Sequence, residues 1–244
     1  MGTGVAEHET KHETLPARPP ELAMHFDNMH QQFHSGKLGM WLFLGQELLF
    51  FCGLFTAYAV YRGNHQEMFH YAHYFLDTKM GAANTVVLLV SSMTAAWSVR
   101  CAMLEQRKGL LITLALTFLC AGAFMVVKYF EYAHKLHIGA VWGNGFHVQT
   151  ADLPPELLAK YPEMTGEKLK DMGVGSFFAV YFCMTGLHGL HVLVGMGLYV
   201  WLFIRALKGH FSRRWYGAVD NVALYWHIVD IIWIFLFPLL YLIG

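Results

Sequence analysis

Val222–Ile243 reads VALYWHIVDIIWIFLFPLLYLI, and this stretch decides the fold class. It is long enough to cross a hydrocarbon core, which takes about 20 apolar residues in a helix. Four more stretches of the same kind lie upstream: Leu38–Tyr61, Gly81–Val99, Leu110–Phe130 and Gly175–Ile204. Together they predict an all-α integral membrane bundle of five transmembrane helices. Residues 37–244 form that domain, and residues 1–36 form a polar amino-terminal tail.

Composition agrees. Hydrophobic residues make up 56% of the 244 residues and charged ones 14%, where a soluble domain carries about 25% charged. Lys+Arg and Asp+Glu both number 17. A nucleic-acid binder would show a basic excess, so none is expected as a partner. The tail has no apolar h-region, so no signal peptide is expected. It reads as mobile or partner-bound.

Charge sets the expected orientation. The tail and the connections 100–109 and 205–219 hold ten Lys and Arg residues, and the other side holds six. The positive-inside rule then places the N-terminus inside and the C-terminus outside. The short 105–108 connection predicts a tight antiparallel hairpin. The long outer loop 133–174 reads equally as a docking or covering element and as a tolerated insertion. Pro154-Pro155 ahead of Glu-Leu-Leu-Ala-Lys predicts a short helix there.

Histidine number (15) invites a metal reading. The tail histidines (8, 12, 25, 30 and 34) show no ligand-like spacing and read as solvated surface. Cys52, Cys101, Cys120 and Cys183 form no Cys-x-x-Cys pair, so paired-thiolate zinc, iron–sulfur or copper sites are not expected. They read as small buried hydrophobes.

Ionisable groups at membrane depth are functional candidates. Glu47 lies about 15 Å into span one, with Leu44, Phe50, Phe43 and Phe51 as helix neighbours. Span four carries Thr185-Gly-Leu-His188-Gly-Leu-His191, and span five carries Tyr225-Trp226-His227-Ile-Val-Asp230. Each pair three residues apart shares a helical face. Three readings stay open: heme ligation by facing histidines, a proton or ion pathway, and buried polar groups satisfying one another. Thr185/Gly189, Ser91/Ala95 and Gly53/Ala57 are small-xxx-small pairs suited to close packing. Lys128 and Glu131 are spaced to pair, or to snorkel from a solvated helix end. Asp220 reads as the N-cap of span five. Arg205, Lys208 and Trp226 are candidates to bind phospholipid.

From about Ser35 to Leu242 the sequence resembles subunit III of the heme–copper oxidases. The resemblance rests on Leu38-Gly-Met-Trp-Leu-Phe-Leu-Gly-Gln-Glu47-Leu-Leu-Phe-Phe, on Asn84-Thr85 with Ser91-Ser92, and on Lys128-Tyr-Phe-Glu131-Tyr. Its most specific parts are Gly186-Leu-His188-Gly-Leu-His191-Val and Trp226-His227-Ile-Val-Asp230-Ile-Ile-Trp233. It implies a subunit without heme or copper, those cofactors residing in partner subunits. It also implies packing against subunit I, with subunit II nearby, and support of proton pumping. Bound phospholipid and a route for oxygen belong to the same expectation. Glu47 matches the family's carbodiimide-reactive carboxylate, and His188, His191, His227, Asp230 and Glu131 match its other internal polar positions. Three features depart from the pattern: Gln46 stands where Ser is usual, two of the family's seven helices are missing, and the 133–174 loop is longer than usual. Without those two helices, the lipid cleft would need a wall from another subunit. The acidic outer loop offers a surface to cytochrome c or another respiratory complex. Quinol oxidases and nitric oxide reductases carry similar subunits. A standalone heme cytochrome or a proton-coupled transporter is the alternative from another class.

Overall fold

The computed structural model describes residues 22–213 and 215–242. The tail expectations for residues 1–21, including His8 and His12, lie outside the described residues. Among the described residues eight α-helices follow in order: α1 (Met29–Asn64), α2 (Gln66–Ala72), α3 (Thr78–Met103), α4 (Arg107–His137), α5 (Pro155–Lys160), α6 (Gly166–Asp171), α7 (Val174–Leu207) and α8 (Gly217–Phe237). Five of them, α1, α3, α4, α7 and α8 with its extension to Leu242, are long and apolar enough to cross a membrane. The described residues form helices, turns and one isolated bridge, Ser212 with Trp215.

The helices outrun the apolar stretches that announced them. Hydropathy marks where a helix meets water, whereas caps decide where it stops. Asn28 Oδ1 accepts from Gln31 N at 2.7 Å and starts α1 well before Leu38. The last residues of the predicted tail are therefore helical. At 36 residues α1 is about 54 Å long, against a hydrocarbon core of about 30 Å, so it projects beyond the membrane. Asp77 caps α3 by accepting from Lys79 N and Met80 N. Tyr216, not Asp220, is the residue at the N-cap of α8. Asp220 lies in the first turn and forms an ion pair with Lys37 at 3.0 Å, tying the start of α8 to α1.

α3 and α4 make the expected hairpin and the most extensive helix contact. Ala95 and Ala121 are fully buried, and Thr94 and Thr117 hydroxyls meet at 2.8 Å between the two helices. α7 and α8 complete a four-helix core around Phe124, Trp226 and Trp233. Ser91 and Ala95 serve packing inside this core, whereas Gly53 and Ala57 face outward. α1 is held mainly along one strip on α8, and most of its surface is exposed apolar side chain.

At the carboxyl-terminal face, residues 138–173 with α2 cover the helix ends. Phe146, Leu157 and Leu169 are buried there, and Phe146 stacks on Phe178 of α7 at 5.9 Å. The long loop is thus a covering element. Pro155 sits in the first turn of the short α5 as anticipated. Gly173 enters α7 at φ +78°, a conformation glycine adopts without steric cost.

Candidate functional site

α1 and α7 bring Glu47 and His191 together. His191 Nε2 lies 3.0 Å from Glu47 Oε2, and both side chains are largely shielded. His191 Nδ1 lies 2.8 Å from the carbonyl of Leu187. A carbonyl only accepts, so Nδ1 carries a proton. Nε2 is thus the ring nitrogen that faces the carboxyl group, and a proton on either of the two atoms makes the contact a hydrogen bond. Tyr225 donates to the His191 carbonyl at 2.8 Å, and Phe51 meets the imidazole edge-on at 5.3 Å. Of the two histidines three residues apart on α7, His191 is the one that meets Glu47.

His188 points elsewhere. It is fully buried, packed against Phe124 and Trp233 at ring distances of 5.6 and 5.2 Å. Neither of its ring nitrogens has a hydrogen-bond partner among the described residues. His227 Nδ1 lies 2.8 Å from Ser92 Oγ, joining α8 to α3. Asp230, a turn further along α8, is buried with both oxygens unpartnered among the described residues. These polar groups lie in one bundle but form no single cluster: Glu47 pairs with His191 and His227 with Ser92, while His188 and Asp230 join neither pair. Among the described residues there is no group of three or more His, Cys, Asp or Glu placed to hold a metal.

Glu131 is the centre of a second assembly that reverses the solvated-end expectation. α4 continues to His137, so Lys128, Glu131 and Lys135 are buried within it on one face. Lys128 donates to Glu131 Oε2 at 2.8 Å and Lys135 to Oε1 at 2.7 Å. Tyr181 and Tyr241 also donate to Oε1, at 2.9 and 2.5 Å. One carboxylate thus accepts four donors from α4, α7 and the final turn Pro238–Leu242. The sequence reading assigned Lys135 to a loop and missed the two tyrosines. The i, i+3, i+7 spacing of 128, 131 and 135 was the available signal.

Of the lipid candidates, Arg205 lies over Trp201 at 4.9 Å and Lys208 is exposed at the amino-terminal face. Trp226 is unavailable to lipid. It is fully buried, its indole donates to Ser91 Oγ at 2.9 Å, and its ring abuts Tyr199. Gly195 makes room for it: a Cβ there would stand 2.5 Å from Trp226 Cζ3.

The family model described as cytochrome c oxidase subunit III matches residues 23–152 and 168–244. The chain belongs to this family. Cytochrome c oxidase subunit III thereby accounts for the five-helix bundle and for the motifs that form its polar interior. The unmatched interval 153–167 holds α5, inside the covering segment. Cytochrome c oxidase subunit 3 of Loxodonta africana is 28% identical, over 86% of this chain and 70% of the relative. Quinol oxidase subunit 3 of Bacillus spizizenii is 26% identical, over 88% and 92%. The probable cytochrome c oxidase subunit 3 of Nocardia farcinica is 29% identical, over 84% and 87%. The chain is therefore a multi-pass membrane subunit of a heme–copper oxidase complex, and that complex is an oxidoreductase.

Proposed function

We propose that this chain is a non-redox subunit of a proton-pumping terminal oxidase that reduces O2 to water, with cytochrome c as electron donor. It lies in a bacterial inner membrane with its N-terminus inside and its C-terminus outside. It packs against subunit I, which with subunit II holds the heme and copper. The observation that carries this reading is the Glu47–His191 pair within a subunit III fold. Such a pair passes a proton between carboxyl and imidazole without changing its net charge, which suits a role in proton uptake by its neighbour. The broad exposed apolar face of α1 supplies surface for subunit I and for hydrocarbon, and thus for lipid or O2 access. Arg205 and Lys208 receive phospholipid headgroups. The covering segment 138–173 offers the outer surface to cytochrome c or another respiratory complex.

Quinol as donor is the second reading, favoured by the near-full-length match to relatives named quinol oxidase subunit 3. Purification in mild detergent tests both. Copurified subunit I with heme and O2 consumption supports the oxidase reading. Oxidation of reduced cytochrome c rather than quinol supports the first donor, and the opposite preference supports the second. Isolation of this chain as a standalone heme protein would overturn both.

A further inference from the structure

His30 and His34 face each other on the projecting end of α1. They are four residues apart, both exposed, with Nε2 atoms 3.0 Å apart and ring centroids 4.1 Å apart. The spacing carried no meaning while this segment read as an unstructured tail. The Asn28 cap makes it helical and puts both imidazoles on one face. Metal–imidazole bonds are about 2.0–2.1 Å, so two ligands on one metal stand about 2.9 Å apart at a right angle and about 3.4 Å apart in a tetrahedron. The observed separation is close to the right-angle value, the geometry of tetragonal copper(II) sites. The neighbouring cation does not oppose a metal here, because the Lys37 ammonium is held by Asp220 at 3.0 Å.

We propose that His30 and His34 form a two-imidazole chelate for a divalent transition-metal ion, with copper(II) bound most tightly. Two neutral imidazoles supply the lone pairs and water fills the remaining positions. Binding releases whatever proton the pair shares as a hydrogen bond. Copper(II) leads because imidazole affinities follow the Irving–Williams order. Calcium and magnesium, which take oxygen ligands, are excluded. The ion would clasp one helical turn of α1 between its cap and the Lys37–Asp220 tie.

The test uses the full chain purified in mild detergent with its copurifying partners and stripped with EDTA. Copper(II) is added to one equivalent and followed by electron paramagnetic resonance as a difference against the unloaded sample. The expected result is a tetragonal copper signal with two equatorial imidazole nitrogens. Loss of even an outer-shell partner costs 10–100-fold in affinity, so His34→Gln is expected to weaken binding by at least about tenfold. His30→Gln is expected to match it, while His25→Gln leaves the signal unchanged. His8 and His12 share the same spacing in the sequence, so the His8→Gln/His12→Gln double variant must retain the signal. Equal binding by wild type and the His30→Gln/His34→Gln variant would overturn the proposal, as would loss of the signal with His8 and His12. Unchanged heme spectrum and turnover in the variants keep a folding defect from mimicking the expected loss.

Discussion

Glu47 of α1 and His191 of α7 meet at 3.0 Å, in a side-chain hydrogen bond that joins these two helices. Because His191 Nδ1 is committed to a backbone carbonyl, Nε2 is the ring nitrogen left to face the Glu47 carboxyl group. Substituting Glu47→Gln keeps a hydrogen-bonding side chain but removes the titratable oxygen. Heme content is expected to stay intact while proton uptake linked to turnover slows. Glu47→Ala should show the same effect and also weaken retention of this subunit. It leaves a shielded imidazole nitrogen without its partner, at a cost of about 1–3 kcal/mol. Parallel heme spectra, proton-uptake assays and detergent dissociation check both variants. Loss of heme from either would count against a non-redox role.

The Glu131 assembly is expected to be the most sensitive point of the bundle. Glu131→Gln leaves Lys128 and Lys135 buried without a counter-charge, and breaking such a pair costs about 3–5 kcal/mol. Adding Lys128→Met should recover part of the loss by removing one cation. Thermal unfolding of the detergent-solubilised protein provides the comparison, and a double variant no better than the single one would refute the charge argument.

Gly195→Ala is expected to destabilise by about 1–3 kcal/mol through overpacking. The new methyl group would displace the Trp226 ring, which a Cβ would meet at 2.5 Å. Thermal unfolding of the detergent-solubilised protein reads the effect. By contrast, Gly122→Ala, inside α4 where a Cβ meets nothing within 4 Å, should hold stability or raise it by up to about 1 kcal/mol.

Lys37→Ala and Asp220→Asn should each change stability by no more than about 1 kcal/mol. The Lys37 side chain is 38% exposed, and exposed ion pairs contribute little. Raising the salt concentration should remove what difference there is.

The carboxyl-terminal covering segment should loosen in acid. Burial is the main cause holding His73 below the usual imidazole range, with His70 and Lys160 acting in the same direction, while the His70 carbonyl and Glu156 oppose it. A depressed pKa in the folded state means the neutral ring is the form that folding favours. Its contribution is present above the unfolded pKa, about 6.5, and is lost as pH falls through the folded value. Protection against hydrogen exchange over residues 66–77, measured relative to the intrinsic exchange rate at each pH, should therefore fall as pH drops from neutral into the acid range. His73→Asn should flatten that dependence.

The spans and the hairpin were legible because hydropathy and connection length report directly on membrane crossing. Glu47 and His191 were legible as candidates because ionisable groups at membrane depth are rare and costly. Trp226 was misread because lipid preference is an average property of tryptophan, while burial here depends on Gly195 across the interface. Lys135 was assigned to water because charge ends a hydropathy window but does not end a helix. The convergence of Tyr181 and Tyr241 on Glu131 joins residues 50 and 110 positions away, and no local pattern announces a contact at that range. The histidines at 30 and 34 needed the Asn28 cap before their spacing acquired a direction.

The strip joining α1 to α8 has a consequence for biogenesis. α1 leaves the ribosome first among the spans, yet its principal neighbour is the last to be made. The chain from Asn64 to Gly217 takes roughly 8–30 s to synthesise at about 5–20 residues per second. Throughout that interval α1 waits in the bilayer without its docking surface, and Glu47 cannot be settled against a finished bundle. A nascent chain halted before α8 is thus expected to expose α1 to membrane quality-control proteases. Completion of the final helix becomes the event that commits the subunit to assembly.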